Sequence, residues 1–307
     1  MSLGRDLERQ LGQVRIGMLA LNDGRHPLVN PAAFHYAAGS LWMTTSRYAV
    51  KLTMARRDPR VAFVVASGEH TLLFQGLLDA YDLRSPGGSV RAALDGPRFA
   101  WSVAGYALKN APLVGGYLLD LVSIPGDWWP HNRVVLRLRT DRARSLIDGD
   151  PPPARLAALP GPPGQVARSL GPIRQGYLCW SLGGPPLMAP AWWALDEGGA
   201  VAWLPQGAPR LPRHAAPGAL VVERHHAFRA TRMLGACLRG RLAPDPGPAA
   251  SAAIQERYGV EPPERGTMLR LHIVRTTWWR GFDVATATVA AETAAAPPER
   301  RAGRQSA

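Results

Sequence analysis

The sequence repeats itself, and no other feature narrows the fold as far. Gly17-Met-Leu-Ala-Leu-Asn-Asp-Gly-Arg-His-Pro-Leu-Val-Asn-Pro-Ala-Ala-Phe34 has a counterpart in Gly176-Tyr-Leu-Cys-Trp-Ser-Leu-Gly-Gly-Pro-Pro-Leu-Met-Ala-Pro-Ala-Trp-Trp193, at an offset of 159 residues. Both read as a short apolar strand, a Gly-containing turn, then Pro-Leu-apolar-X-Pro-Ala-aromatic. Ala38–Trp42 then matches Gly198–Trp203, and Leu73–Leu78 matches Ala236–Leu242, in the same order. Correspondences that keep their order along the chain indicate a tandem duplication. At 307 residues there is room for two domains with separate cores.

The expected units are a first domain over 1–148, a linker over 149–164, a second domain over 165–290 and a disordered tail over 291–307. The linker is dense in proline and glycine, which hold neither a helix nor a central strand. The tail has no apolar periodicity. In the first domain the pattern predicts strands at Ile16–Leu21, Leu28–Tyr36, Leu41–Thr44, Val61–Ala66, Thr71–Asp82 and Val134–Arg139, with a hairpin turn at Asn22-Asp23-Gly24. Helices are predicted over Leu3–Leu11, from a cap at Ser46 through Ala55, and over Ser89–Leu121. Short antiparallel strands with one helix after the third imply a small closed barrel. The fold class is mostly β with added helices. The second half gives the same strands, with its helix interrupted by Pro205, Pro209, Pro212 and Pro217.

Charge narrows the partners. The chain carries a net +13, yet only two of its 36 basic residues are lysine, Lys51 and Lys109, and the arginines are spread over the whole length. Phosphate-backbone binding needs clustered cations, so attraction of small anionic ligands is the expectation, and nucleic acid is not. The most apolar stretch, Trp101 to Ile124, is broken by Lys109, Asn110, Pro112 and Asp120, too soon for a membrane span. The polar N-terminus shows no targeting signal. Cys179 and Cys237 are too few for a disulfide framework. A cytoplasmic protein, without membrane or nucleic-acid partners, is expected.

The segment richest in chemistry is Trp42-Met-Thr-Thr-Ser-Arg-Tyr-Ala-Val-Lys51. A strand delivers Thr44, Thr45 and Ser46 to the start of a predicted helix, where unpaired amides favour an anion. Arg47 offers a bidentate fork, and Lys51 could reach back to the same charge. The same residues would also serve an ordinary capped helix with a solvated basic face.

Together with Asp23-Gly-Arg-His-Pro-Leu-Val-Asn-Pro31, Arg56-Arg-Asp-Pro-Arg-Val-Ala-Phe-Val-Val65 and Gln75-Gly76, this segment resembles the pyridoxamine 5′-phosphate oxidase-like, FMN-binding split-barrel superfamily. The resemblance covers Leu7 to Asp82, and more weakly Gly176 to Leu242. It implies two split β-barrel domains in one chain. It also implies that Thr44, Thr45, Ser46, Arg47 and Lys51 take a cofactor phosphate, that Asn30 and Pro31 lie along the flavin ring, and that Gln75 faces it. FMN is the implied cofactor, with the deazaflavin coenzyme F-420 as an alternative and haem as a third. The implied activity is a flavin-dependent oxidoreductase moving a hydride to or from a small organic substrate; a deazaflavin-dependent reductase and a non-catalytic flavin or haem binder are the alternatives. Because the superfamily builds its sites between two protomers, the duplicated chain should be a fused pseudo-dimer, monomeric or paired again. In the second half, Leu204-Pro-Gln-Gly-Ala-Pro-Arg210 replaces the hydroxyl-rich motif, so only one competent site is expected, walled partly by the second half.

Other candidates are weaker. Neighbours on a strand face opposite ways, so Trp192-Trp193 and Trp278-Trp279 should each send one ring to a core and one outward; Trp192, Trp193 and Trp279 are candidates for a substrate pocket. His225-His226 lack companions at ligand spacing, and no metal is expected. The Trp101–Trp129 region is either a lid over the pocket or a packed helical insertion.

Overall fold

A computed structural model describes residues 4–67, 70–147 and 151–289. The first half runs α1 (Arg5–Gln13), β1 (Ile16–Asn22), β2 (Pro27–Ala37), β3 (Ser40–Ser46), α2 (Val50–Arg57), β4 (Arg60–Ser67), β5 (His70–Tyr81), α3 (Pro86–Lys109), α4 (Ala111–Leu119) and β6 (Arg133–Ile147). The second runs α5 (Gly164–Leu170), β7 (Gln175–Trp180), β8 (Leu187–Asp196), β9 (Gly199–Pro205), β10 (Ala216–Arg224), β11 (Leu234–Pro244), α6 (Pro248–Tyr258), β12 (Gly266–Arg280) and β13 (Asp283–Thr288).

Strand pairing shows the duplication directly. The first six strands close a barrel in the order β1-β2-β3-β6-β5-β4, sealed by β1 against β4. The next six follow β7-β8-β9-β12-β11-β10, the same order, sealed by β10 against β7. All pairings are antiparallel, and β13 adds to the side of β12. The fold is mostly β: two six-stranded barrels in one chain.

Residue alternation explains how the barrels pack. Leu19 and Leu21 of β1, and Val61, Phe63 and Val65 of β4, fill the first barrel with Phe34, Met43 and Phe74. Their neighbours Met18, Ala20, Ala62 and Val64 point the other way and join the core of the second barrel. This is why Gly17–Leu21 is apolar without a gap: both of its faces are buried. Polar ties cross the same seam. Asn22 donates to the Gly184 carbonyl at 3.1 Å, and Arg239 pairs with Asp23 at 3.2 Å.

Three helix expectations change. Ser46 ends β3 and does not cap α2, which starts at Val50 after Ala49 and has no side-chain cap. The long helix begins at Pro86, capped by the Ser85 hydroxyl on the Gly88 N–H at 3.1 Å, and bends at Gly96 (φ 48°) before Pro97. Between β9 and β10 there is no helix, as the prolines there require. Of the expected linker, 151–163 holds no helix or strand; positions 149–150 and the tail 291–307 lie outside the described residues. Among the described residues, no helix is long and apolar enough to cross a membrane.

Candidate functional site

Outside the first barrel, between its β2–β3–β6 face, the α3–α4 segment and the edge of the second barrel, lies a cavity of about 330 Å³. That is at the lower end of the range for small-molecule sites. The first barrel contributes Pro31, Ala33, Thr44, Lys51 and Arg133. The α3–α4 segment contributes Tyr106, Asn110, Leu113 and Tyr117, and the turn after it Trp128. Ala230, Met233 and Phe282 come from the second barrel. Both halves therefore wall one cavity, and Trp101–Trp129 supplies one of its sides.

The polar end is compact. Arg133, paired with Ser46 in the β3–β6 register, donates to the Thr44 hydroxyl at 2.7 Å. The Tyr106 hydroxyl shares the same oxygen at 3.1 Å. Arg133 lies over the Tyr117 and Trp128 rings at 5.7 and 5.9 Å. Burial first, and the Arg133 charge second, pull the Lys51 ammonium down to about 8. Among the described lining residues there is no carboxylate. Two cations and a hydroxyl thus meet in an apolar pocket without a counter-ion. Such a set is complementary to an anion.

The other motif residues are engaged elsewhere. Thr45 shares a face with Leu41 and Met43 of the first barrel's core, and its buried hydroxyl has no partner among the described residues. The Ser46 hydroxyl donates to the Asp127 carbonyl and accepts from the Tyr48 N–H at 3.1 Å. Arg47 is paired with Asp82, which Arg56 also approaches at 3.6 Å. The amides are spent too: Arg47 N–H on the Asn132 carbonyl, Ala49 N–H on the Ser46 carbonyl. These amides are therefore not free to cradle an anion, and the polar groups that line the cavity are side chains. Pro31 lines the cavity, while the adjacent Asn30 is half-buried and does not. Gln75 lies at a smaller cavity between the barrels and donates to the Pro186 carbonyl at 3.1 Å, so it does not face this site.

The tryptophan candidates also fall outside. Trp193 is in the core of the second barrel, its N–H on the Ile173 carbonyl at 3.0 Å and its face under the Arg257 guanidinium at 3.8 Å. Trp279 packs in the same core, beside Gly235. Trp192 stacks between Trp203 and Tyr258, with centroids 5.2 and 5.1 Å away. His225 pairs with Glu223 at 3.0 Å, and no metal-type cluster exists among the described residues. Both cysteines are buried, and burial pushes their thiols up, Cys237 to about 11.

Register shows what became of the second cradle. The hairpins keep the 159-residue offset, Ala37 opposite Ser40 as Asp196 is opposite Gly199. Ala33 therefore corresponds to Trp192, and it is Thr44, not Trp42 as the sequence match has it, that corresponds to Trp203. Trp192 and Trp203 pair directly across β8 and β9. Ser46 faces Arg133 in the first barrel; its counterpart Pro205 faces Gly266 in the second. A side chain at Gly266 would collide with the Trp203 indole. Where the first barrel has alanine, threonine and arginine, the second has two tryptophans and a glycine.

No family model matches this chain, and no curated protein matches it. The solved structures it matches include pyridoxamine 5′-phosphate oxidase-related and flavin-binding proteins. A pyridoxamine 5′-phosphate oxidase-related, FMN-binding protein from Nostoc punctiforme is 16% identical, covering 48% of this chain and 87% of its own, with a TM-score of 0.34. An FAD-binding protein from Mesorhizobium loti is 19% identical (47% and 94% covered, TM-score 0.33). An F420 reductase is 20% identical (46% and 98% covered, TM-score 0.29).

Proposed function

We propose that the cavity binds the phosphate end of one flavin-type cofactor per chain, FMN first, and that the protein is a flavin-dependent oxidoreductase acting on a small organic substrate. The observation that carries this is the meeting of Lys51, Arg133 and Thr44, without a counter-ion, at one end of an otherwise apolar, aromatic cavity. The donor set suits a phosphate: a bidentate guanidinium, a mobile ammonium and a hydroxyl already oriented by Arg133. The apolar remainder suits a flat ring system. When bound, a flavin supplies hydride transfer, and the protein supplies position, electronics and access. Lys51 and Arg133 would hold the anionic end. Pro31, Tyr117 and Trp128 would exclude water around the ring, and Met233 and Phe282 would close the side toward the second barrel.

The deazaflavin coenzyme F-420 also carries a phosphate and remains the alternative cofactor. Haem has less support, because among the described residues no histidine or cysteine lines the cavity. Titration of the apoprotein with FMN, followed by flavin fluorescence, tests the reading. Binding at one per chain is expected. Lys51→Ala should weaken it by ~1.5–3 kcal/mol, the scale of a charge-assisted hydrogen bond. Arg25→Ala, on the exposed first hairpin, should leave it unchanged. Failure of FMN and of the deazaflavin to bind, or two equivalent sites per chain, would refute it.

A further inference from the structure

The α3–α4 segment carries an apolar stripe that the cavity does not use. Trp101, Ala104, Leu108, Ala111 and Leu118 follow one another at spacings of three, four or seven residues, the period of one helix face, and Val122 stands in the short 3-10 turn that follows. The helical hydrogen bonding passes through the junction at Asn110, whose N–H reaches the Tyr106 carbonyl and whose carbonyl accepts from Val114. The stripe points to solvent: Trp101 is 77% exposed, Leu108 81% and Val122 95%. Between Arg98 and Asp127 the sequence has just two charged residues, Lys109 and Asp120. Both turn inward, Lys109 onto the Leu11 carbonyl at 2.6 Å and Asp120 onto Arg229. A charge-free face of this length is uncommon on a protein that stays free in water.

Against the expectation of no membrane partner, we infer that this face seats the protein on an anionic phospholipid surface, with the mouth of the cavity opening beside the lipid. Charge selects the occupant. A second copy would bring another +13 molecule to this face, where Arg98 is exposed three residues before Trp101, whereas an anionic bilayer brings the opposite sign. Position links the face to the site: Val114 and Leu118 both line the cavity and are exposed at its rim. A molecule dissolved in the lipid would reach the cavity along apolar side chains. The mode is that of a helix lying in the interface, apolar side down. The inference rests on the surface and stands whichever cofactor the cavity holds.

The test is co-sedimentation of the full chain with vesicles of phosphatidylcholine alone or mixed with phosphatidylglycerol, with sedimentation velocity on the same samples without lipid. Binding to the mixed vesicles is expected, weakening at high salt. The double variant Trp101→Glu/Leu108→Glu should lower the partition coefficient at least about tenfold. Leu156→Glu, at an equally exposed leucine on the segment between the barrels, should not change it. Both variants alter exposed side chains, and an unchanged melting temperature verifies their folding. No binding, equal binding to neutral vesicles, or equal loss in both variants would overturn the inference. So would a lipid-free dimer that the double variant dissolves, which would make the face a contact between copies.

Discussion

A buried cation beside a second one should cost the protein stability, and Lys51 allows that cost to be measured. Its ammonium falls from 10.5 to about 8 in the folded chain, through burial and then the Arg133 charge. That depression corresponds to ~3 kcal/mol against the charged folded state. Lys51→Met keeps the unbranched stem and removes the charge. Without ligand at pH 7, the variant should therefore be more stable than wild type, by up to ~3 kcal/mol. The sign follows from proton binding. Below about pH 8 the lysine is charged in both folded and unfolded wild type, and the full penalty applies. Between about 8 and 10.5 the unfolded chain keeps a proton the folded one has shed, so wild-type stability rises with pH and the advantage of the variant fades. Ligand should close most of this gap, since a phosphate-bearing molecule at a hundred times its Kd would stabilise wild type by about 2.7 kcal/mol and the variant by less. Urea denaturation at neutral and alkaline pH, with and without FMN, measures all of this. A variant less stable than wild type at pH 7 without ligand, or a gain that does not shrink toward alkaline pH, would refute the reasoning.

Other outcomes follow from the same contacts. Arg133→Met should weaken FMN binding about 10- to 100-fold by fluorescence titration, since it removes a charged donor and frees the Thr44 hydroxyl. Trp203→Thr should cost about 3–5 kcal/mol in urea denaturation and still leave one FMN per chain, because Arg133 has no counterpart at Gly266. Asp120, held low by the Thr231 hydroxyl and then Arg229, ties the α3–α4 segment to the second barrel. Its contribution is present above the ordinary carboxylate range and lost as pH falls, so proteolysis within 121–132 should accelerate below about pH 4 and, at neutral pH, in Asp120→Asn. The halves 1–148 and 165–290, which we propose as the domains, should aggregate or associate when expressed separately, while the whole chain sediments as a 33.1 kDa monomer. A soluble first half binding FMN stoichiometrically would contradict the shared cavity.

How far the sequence reveals this arrangement depends on range. The Gly17 and Gly176 segments expose the duplication because strand order and turn chemistry are local, and the paired barrels reproduce it strand for strand. Thr44 and Lys51 are recoverable because a lysine is conspicuous among so many arginines. Arg133 is not, being one arginine among dozens until β6 pairs with β3 and sets it opposite Ser46. Arg47 misleads for the complementary reason: its partner Asp82 is brought close only by closure of the barrel. Thr45 fails by strand alternation, since the side chain between two outward-facing hydroxyls must point into the barrel. Tyr106, Tyr117 and Trp128 lie in an apolar segment whose pattern serves a lid and a plain insertion equally. Phe282 and Met233 belong to the other barrel, beyond any local signal.

The exchange at Gly266 has a historical consequence. Two identical subunits inherit every substitution twice, so neither of their sites can decay alone; joining the copies in one gene removes that obligation. Here the decay also has a direction. While the Trp203 indole stands where a side chain at position 266 would project, an arginine cannot return to that position. Restoring the tryptophan to threonine first would open a void in a packed barrel face before any ligand could profit. Each single step toward a second site is unfavourable, so, on the one-site reading proposed above, descendants of this chain should keep one site even if selection came to favour two.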